Sequence, residues 1–314
     1  MTRNNVDALT CLAFSPDGQK IASCTTSSGV AITDISSKSK QQLDMLADAH
    51  THVTAVAWSS DGERIISALP DNTIRCWDVI STRPVGLPFR GHKDLVLAAA
   101  FLPNSSHAIS LSRDGELLVW DTGSGAVIQQ VTVSNAAQTI FVAALSVDTS
   151  LLVTSDTKEA VAWQIPTCAQ IAEIPLPDIP LLQAAIIPND CPRVVLAFGD
   201  RSFWVWDVNT GKHDDARFEG LDENDIPFAM AASPDGKLLA LEIDGDGDRP
   251  THFYDIKGHE LTTSDIKCIH PFAFSSDGKF FAASSVPSDS KDVFCNLIVR
   301  SVEEARKLTP QVQS

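Results

Sequence analysis

The chain has 314 residues, 44% of them hydrophobic and 20% charged, which is ample material for a packed globular core. Its net charge of −16 argues against nucleic acid and anionic lipid as partners, because both are held by Lys and Arg. There is no apolar run of the roughly 18 residues a membrane helix needs, and the start "MTRNNVDALTCLAF" lacks the apolar core of a secretory signal, so a cytoplasmic or nuclear location is expected.

From the N-terminus, the first unit passes through "AFSPDGQKIAS" at 13 and ends with "VAITD" at Asp34. The second holds "AWSSDGERIIS" at 57 and "IRCWD", ending at Asp78. The third has a worn first landmark, "AFLPNSSHAIS" at 100, followed by "LLVWD" to Asp121. The fourth pairs "ALSVDTSLLVT" at 144 with "AVAWQ", and the fifth pairs "AIIPNDCPRVVLA" at 185 with "FWVWD". In the sixth, "AASPDGKLLAL" at 231 leads to "HFYDI", and in the seventh "AFSSDGKFFAA" at 273 leads to "LIVRS". The position of the closing Asp falls at Asp34, Asp78, Asp121, Gln164, Asp207, Asp255 and Arg300, in steps of 44, 43, 43, 43, 48 and 45 residues. One unit therefore recurs seven times.

Within a unit, "VTAVAWS", "RIISAL" and "TIRCWDV" are short apolar runs separated by "SDG" and "PDN" turns, and a weaker fourth run such as "AVIQQVTV" follows. Short runs bounded by Gly, Asp, Asn and Pro read as antiparallel strands. A four-stranded sheet of this size cannot bury both faces alone, and stacking seven around an axis solves that. The first strands are rich in small residues (Ala55, Ala57, Ala98, Ala99, Ala100, Ala143, Ala144), as wedges converging on an axis require, while Trp77, Trp120, Trp163 and Trp206 sit further out on the third. The expectation is an all-β, seven-bladed β-propeller of four-stranded antiparallel sheets filling residues 1–314, with blades near 6–46, 47–89, 90–133, 134–176, 177–220, 221–263 and 264–314. Seven scattered cysteines without a C-x-x-C pair are expected to be reduced thiols packed as small hydrophobes.

The units resemble WD40 repeats, marked by Gly-His near the start and Trp-Asp near the end of about 40–45 residues. "STRPVGLPFRGHKDLV" is similar to WD40 arrays of mushroom-type fungi, often attached to NACHT-type receptors. The resemblance implies a hydrogen-bonded chain inside a blade, built from His92, Ser110, Asp114 and Trp120 in the third copy and His50, Ser67, Asp71 and Trp77 in the second. In both, Asp lies six residues and Ser ten residues before Trp. A reactive triad occurs once, whereas this set recurs, and no G-x-S-x-G elbow accompanies it, so the set reads as a structural clamp with no catalytic residue.

Recognition is then expected from loops that differ between copies. Asp222, Glu223 and Asp225, with Asp244, Asp246, Asp248 and Arg249 of the lengthened sixth copy, form a candidate acidic rim, and Arg113 and Arg201 lie in related turns. Asp244, Asp246 and Asp248 have the 1, 3, 5 spacing of a calcium loop. Arg249 stands where Gly is needed and Asp255 where Glu is needed, so no metal is assigned. The expectation is a non-catalytic, monomeric scaffold that binds a protein or peptide, possibly a basic one, through top-face loops. It needs no cofactor and has no nucleic-acid or membrane partner. The alternatives are a propeller enzyme or small-ligand binder using the central channel, and the sensor domain of a fungal NACHT-type receptor. The outer strand of the last blade is expected around Lys307 to Val312, with a weakened seam between blades 1 and 7.

Overall fold

The computed structural model describes residues 9–26, 29–42, 52–103, 106–133, 140, 142–146, 148–187, 192–218, 226–244, 250–256, 260–285 and 296–303. Every named element is a strand, and together they form the seven-bladed propeller. Blade 1 comprises β1 (Leu9–Phe14), β2 (Lys20–Thr25), β3 (Gly29–Asp34) and β4 (Lys40–Gln42). Blade 2 comprises β5 (Ala55–Trp58), β6 (Arg64–Ala68) and β7 (Ile74–Asp78). Blade 3 holds β8 (Val96–Phe101), β9 (His107–Ser112), β10 (Glu116–Asp121) and β11 (Val127–Thr132). Blade 4 holds β12 (Val142–Leu145), β13 (Leu151–Ser155), β14 (Glu159–Gln164) and β15 (Ala169–Pro175). Blade 5 holds β16 (Leu181–Ile187), β17 (Arg193–Phe198), β18 (Ser202–Asp207) and β19 (His213–Arg217). Then follow β20 (Ile226–Ala232), β21 (Leu238–Asp244), β22 (Pro250–Asp255), β23 (Glu260–Phe274), β24 (Phe280–Ser285) and β25 (Asn296–Ser301).

Each sheet is an antiparallel meander in chain order. Three blades depart from the four-strand plan. The outer edge of blade 2 is reduced to isolated bridges, Ile74 with Phe89 and Trp77 with Pro84, because Pro84 and Pro88 interrupt the ladder of N–H donors. Blades 6 and 7 share one sheet: β23 pairs with β22 at one end and with β24 at the other. The segment expected to complete blade 7, Lys307 to Val312, lies outside the described residues.

The turn between first and second strands is built alike in five blades. In blade 1, Ser15 Oγ donates to Asp17 Oδ1 (2.6 Å) and accepts from Lys20 N–H (2.9 Å), while Asp17 accepts from Gln19 N–H (3.0 Å). Ser59–Asp61, Ser146–Asp148, Ser233–Asp235 and Ser275–Asp277 repeat it. The turn needs a left-handed residue, which Gly18, Gly62, Gly236 and Gly278 supply and Thr149 (φ 55°) adopts in blade 4. The hydrogen bonds hold the carboxyls below their usual range: Ser275 and the Lys279 N–H bring Asp277 to about 2.

The innermost strands β1, β5, β8, β12, β16, β20 and β23 pack in ring order, and β23 returns to β1. Of these, β5 and β12 are only half-buried along most of their length, while second strands such as β2, β9 and β17 are almost wholly buried. The main core thus lies between blades, outside the axial strands. The seam between blades 7 and 1 has its own apolar cluster, Leu12, Ile21 and Ala282 with Phe14, Leu297 and Val299, and Ser276 Oγ donates to Pro16 O at 2.9 Å. Other seams carry polar links of the same kind: Trp58 Nε1 donates to Ala13 O (3.0 Å) and Thr54 Oγ1 to Val96 O (2.8 Å).

Candidate functional site

The polar set of blade 3 is centred on Ser110. Trp120 Nε1 donates to Ser110 Oγ at 2.8 Å, and His92 Nε2 lies 2.6 Å from the same oxygen. The indole is fully buried, stacks on Phe89 at 5.7 Å and meets the His92 ring edge-on at 5.8 Å. Gly91 lies so close to Trp120 that a Cβ there would come within 2.9 Å of the indole Cη2 and 3.1 Å of Leu118 Cδ1. This close approach is the physical reason for Gly in the Gly-His pair. Burial pushes the His92 imidazole down to about 4, against the opposing pull of the Asp114 carboxylate.

Asp114 stands apart from the trio. It accepts the Ser112 hydroxyl and the Glu116 N–H (3.4 Å), and His92 Nδ1 has no hydrogen-bond partner among the described residues. Asp71 likewise accepts the Thr73 N–H (3.1 Å) and hydroxyl (2.6 Å), while Trp77 Nε1 donates to Ser67 Oγ at 2.9 Å. These aspartates cap the turn between second and third strands, where backbone N–H groups need an acceptor. His50 lies outside the described residues. The repeat-end aspartates do similar work one turn later: Asp34, Asp78 and Asp121 accept N–H and hydroxyl from Ser37, Ser81 and Ser124.

Sequence reasoning missed the fourth blade. Trp163 Nε1 donates to Thr154 Oγ1 at 2.9 Å, nine residues back instead of ten. In blade 3 the innermost hairpin pair is Leu111 with Leu117, and in blade 4 it is Ser155 with Ala160, so the second loop is one residue shorter. Counted from the residue opposite Trp, however, the hydroxyl is two positions on in both cases: Ala108 to Ser110, Leu152 to Thr154. The same count reaches Leu196 in blade 5, which leaves Trp206 Nε1 buried without a partner among the described residues.

Of the candidate rim, Asp222, Glu223, Asp225, Asp246, Asp248 and Arg249 lie outside the described residues, and of Asp244 only its place at the end of β21 is described. Ile226 and Asp244, the described ends of the two segments, are register partners. Arg113 is engaged within the chain: its Nε and Nη2 donate to Asp94 Oδ2 (3.2 Å) and Oδ1 (3.0 Å). Arg201 adopts φ 69° in its turn, where its N–H donates to Phe198 O and its carbonyl accepts from Phe218. No group of three metal-ligating side chains occurs among the described residues.

A seven-bladed propeller whose third strands carry Trp tied to a neighbouring hydroxyl defines a repeat protein, and residues 3–34, 40–78, 83–121 and 250–293 match the WD domain, G-beta repeat. The chain belongs to the WD40-repeat family. It is similar to THO complex subunit 6 of Arabidopsis thaliana, at 24% identity over 40% of this chain and 34% of that protein. It is also similar to mouse cilia- and flagella-associated protein 52, at 24% over 79% of this chain and 39% of the relative. The rice chromatin assembly factor 1 subunit FAS2 homolog is 34% identical over 34% of this chain and 22% of its own length. The chain thus spans well under half the length of these relatives. Two of the three are named as subunits of larger assemblies.

Proposed function

We propose that the chain is a non-catalytic platform that binds a protein or peptide through the polar loops at one end of its blades. The observation that carries this reading is the state of Ser110. The hydroxyl that a triad would use is 1% exposed and shared between Trp120 and His92, so it holds the blade together and is shielded from any substrate. Six of the seven axial strands support it, because "LTCLAF", "AVAW", "VLAAAF", "VAAL", "LLQAAII" and "IPFAMAA" contain no acidic, basic or histidine residue, while β23 contains Glu260, Asp265, Lys267 and His270. The names of two relatives, a THO complex subunit and a chromatin assembly factor subunit, place those proteins in assemblies and lend the reading further weight.

The partner is basic on this reading, since the chain carries −16 and complementary charge steers encounter. Free, buried Cys11, Cys24, Cys76 and Cys168 fit a reducing compartment, the cytoplasm or the nucleus. The test is affinity capture with the whole chain against a variant reversed in charge at 222–225 and 244–248. Loss of one partner in the variant supports the reading. Turnover of a generic ester or peptide substrate that disappears in Ser110→Ala would overturn it.

A further inference from the structure

On the circumference of the propeller, the outer segment of blade 2 stands against the charge of the chain. From Val79 to Lys93 there is no Asp or Glu, while Arg83, Arg90 and Lys93 are present, in a protein of net charge −16. Lys93 is engaged by Glu116 at 3.9 Å. Arg83 and Arg90 are exposed and Arg75 is half-buried, and none of the three has an ion pair or a side-chain hydrogen bond among the described residues. The carboxylate nearest in sequence, Asp78, is occupied by the Ser81 N–H (2.7 Å) and hydroxyl (2.6 Å).

The same segment carries the two most exposed large apolar side chains among the described residues. Ile80 is 83% and Leu87 79% exposed, and the next, Ile128, is 53%. A lone exposed apolar residue is ordinary. Here apolar and cationic residues alternate along one segment, as Ile80, Arg83, Leu87 and Arg90.

The backbone fixes this display. Val85 N–H donates to Cys76 O and Phe89 N–H to Ile74 O, each at 2.8 Å, so Gly86, Leu87 and Pro88 stand opposite the single residue Arg75 and must bulge from the ladder. Gly86 adopts φ 68° in the bulge, and beyond it Phe89 is buried against Trp120 at 5.7 Å. The bulge is tied down at both ends, so Leu87 is presented on an anchored backbone, which lowers the ordering cost of a contact. Pro84 and Pro88 lack N–H donors, so a partner cannot extend the sheet here by regular pairing and must bind through side chains.

Going beyond the platform reading, we infer that the outer edge of blade 2 is a second contact surface, which receives an acidic segment of a partner protein. An apolar side chain of that segment covers Leu87, and its carboxylates meet Arg75, Arg83 and Arg90. Opposite charge and a matching apolar contact both favour this occupant. Nucleic acid fits less well, because the net negative charge of the chain repels it and a phosphate backbone leaves Leu87 uncovered.

The probe is a library of random dodecapeptides displayed on phage, selected in parallel on the intact protein and on Arg83→Gln with Arg90→Gln. Both arginines are exposed, so the variant should keep the native melting temperature. Peptides with Asp or Glu around a Leu, Ile or Phe should be enriched on the native protein and lost on the variant. The leading peptide, labelled with fluorescein and followed by anisotropy, should bind about tenfold more weakly to the double variant, and also to Leu87→Ser. Its affinity should fall with added salt. No acidic enrichment, or an affinity unchanged in either variant, overturns the inference. Displacement of the peptide by an equal concentration of a ten-nucleotide oligothymidylate overturns it too and reassigns the surface to nucleic acid. Partner capture that depends on 222–225 and 244–248 concerns another surface, so failure here leaves the platform reading standing.

Discussion

Blades 3 and 4 stand side by side with the same Trp-to-hydroxyl bond and differ in what lies over it. In blade 3, Gly91 presses on the indole, His92 shares the Ser110 hydroxyl and Lys93 reaches Glu116. In blade 4 the indole bond to Thr154 faces a cleft lined by Glu159 and Glu173. Blade 3 uses its polar groups on itself, whereas Glu159 and Glu173 form no ion pair among the described residues. A repeat can hold its Trp-to-hydroxyl bond constant while the groups around that bond differ.

The sharpest way to break the comparison is to remove the hydroxyl in each blade. Ser110→Ala strands two buried partners, Trp120 Nε1 and His92 Nε2, and should cost about 2–4 kcal/mol in urea denaturation. Thr154→Val strands one donor beside a cleft that water can enter, and should cost about 1 kcal/mol. Equal losses would remove the distinction between a closed and an open blade. Next comes Gly91→Ala, where the new methyl meets the indole at 2.9 Å and should cost about 1–3 kcal/mol through overpacking. A neutral result would mean that the blade 3 cap is not tight.

The third effect depends on pH. His92 is held near 4 by burial, below its ordinary 6.5, so the unfolded chain takes up this proton first as pH falls. Its contribution is flat above pH 6.5 and turns against the fold between 6.5 and 4, by about 2 kcal/mol between neutrality and roughly pH 5. Denaturation curves across that window should show the decline in the native chain and a shallower one in His92→Gln. The smallest effect concerns blade 5. Trp206 Nε1 has no partner among the described residues, so Trp206→Phe should destabilise by about 1 kcal/mol less than Trp120→Phe. A larger loss at Trp206 would show that its N–H has a partner after all.

Much of the fold was legible because turns are local. Ser15, Asp17 and Gly18 make their bonds within a few residues, so the motif that recurs in sequence is the motif that recurs in space. Outer strands were harder to read, since β11 and β19 are mostly exposed and carry little apolar signal. Of the clamp, the pairing of Trp120 with Ser110 was implied by the family resemblance and supported by its constant spacing, whereas Thr154 escaped because a loop one residue shorter changed the count. Asp114 was drawn toward the clamp by the family pattern, and nearby turn donors claim it instead.

The sequence by itself determined how many wedges there are, where each turn falls and which residues must be small near the axis, because these depend on composition and period within one unit. Only the tertiary structure decided which polar groups meet. Cross-strand register selects the hydroxyl under each Trp, and the packing of one blade on the next decides whether that pair is covered. The cleft between blades 3 and 4 belongs to neither blade alone: its lining comes from both.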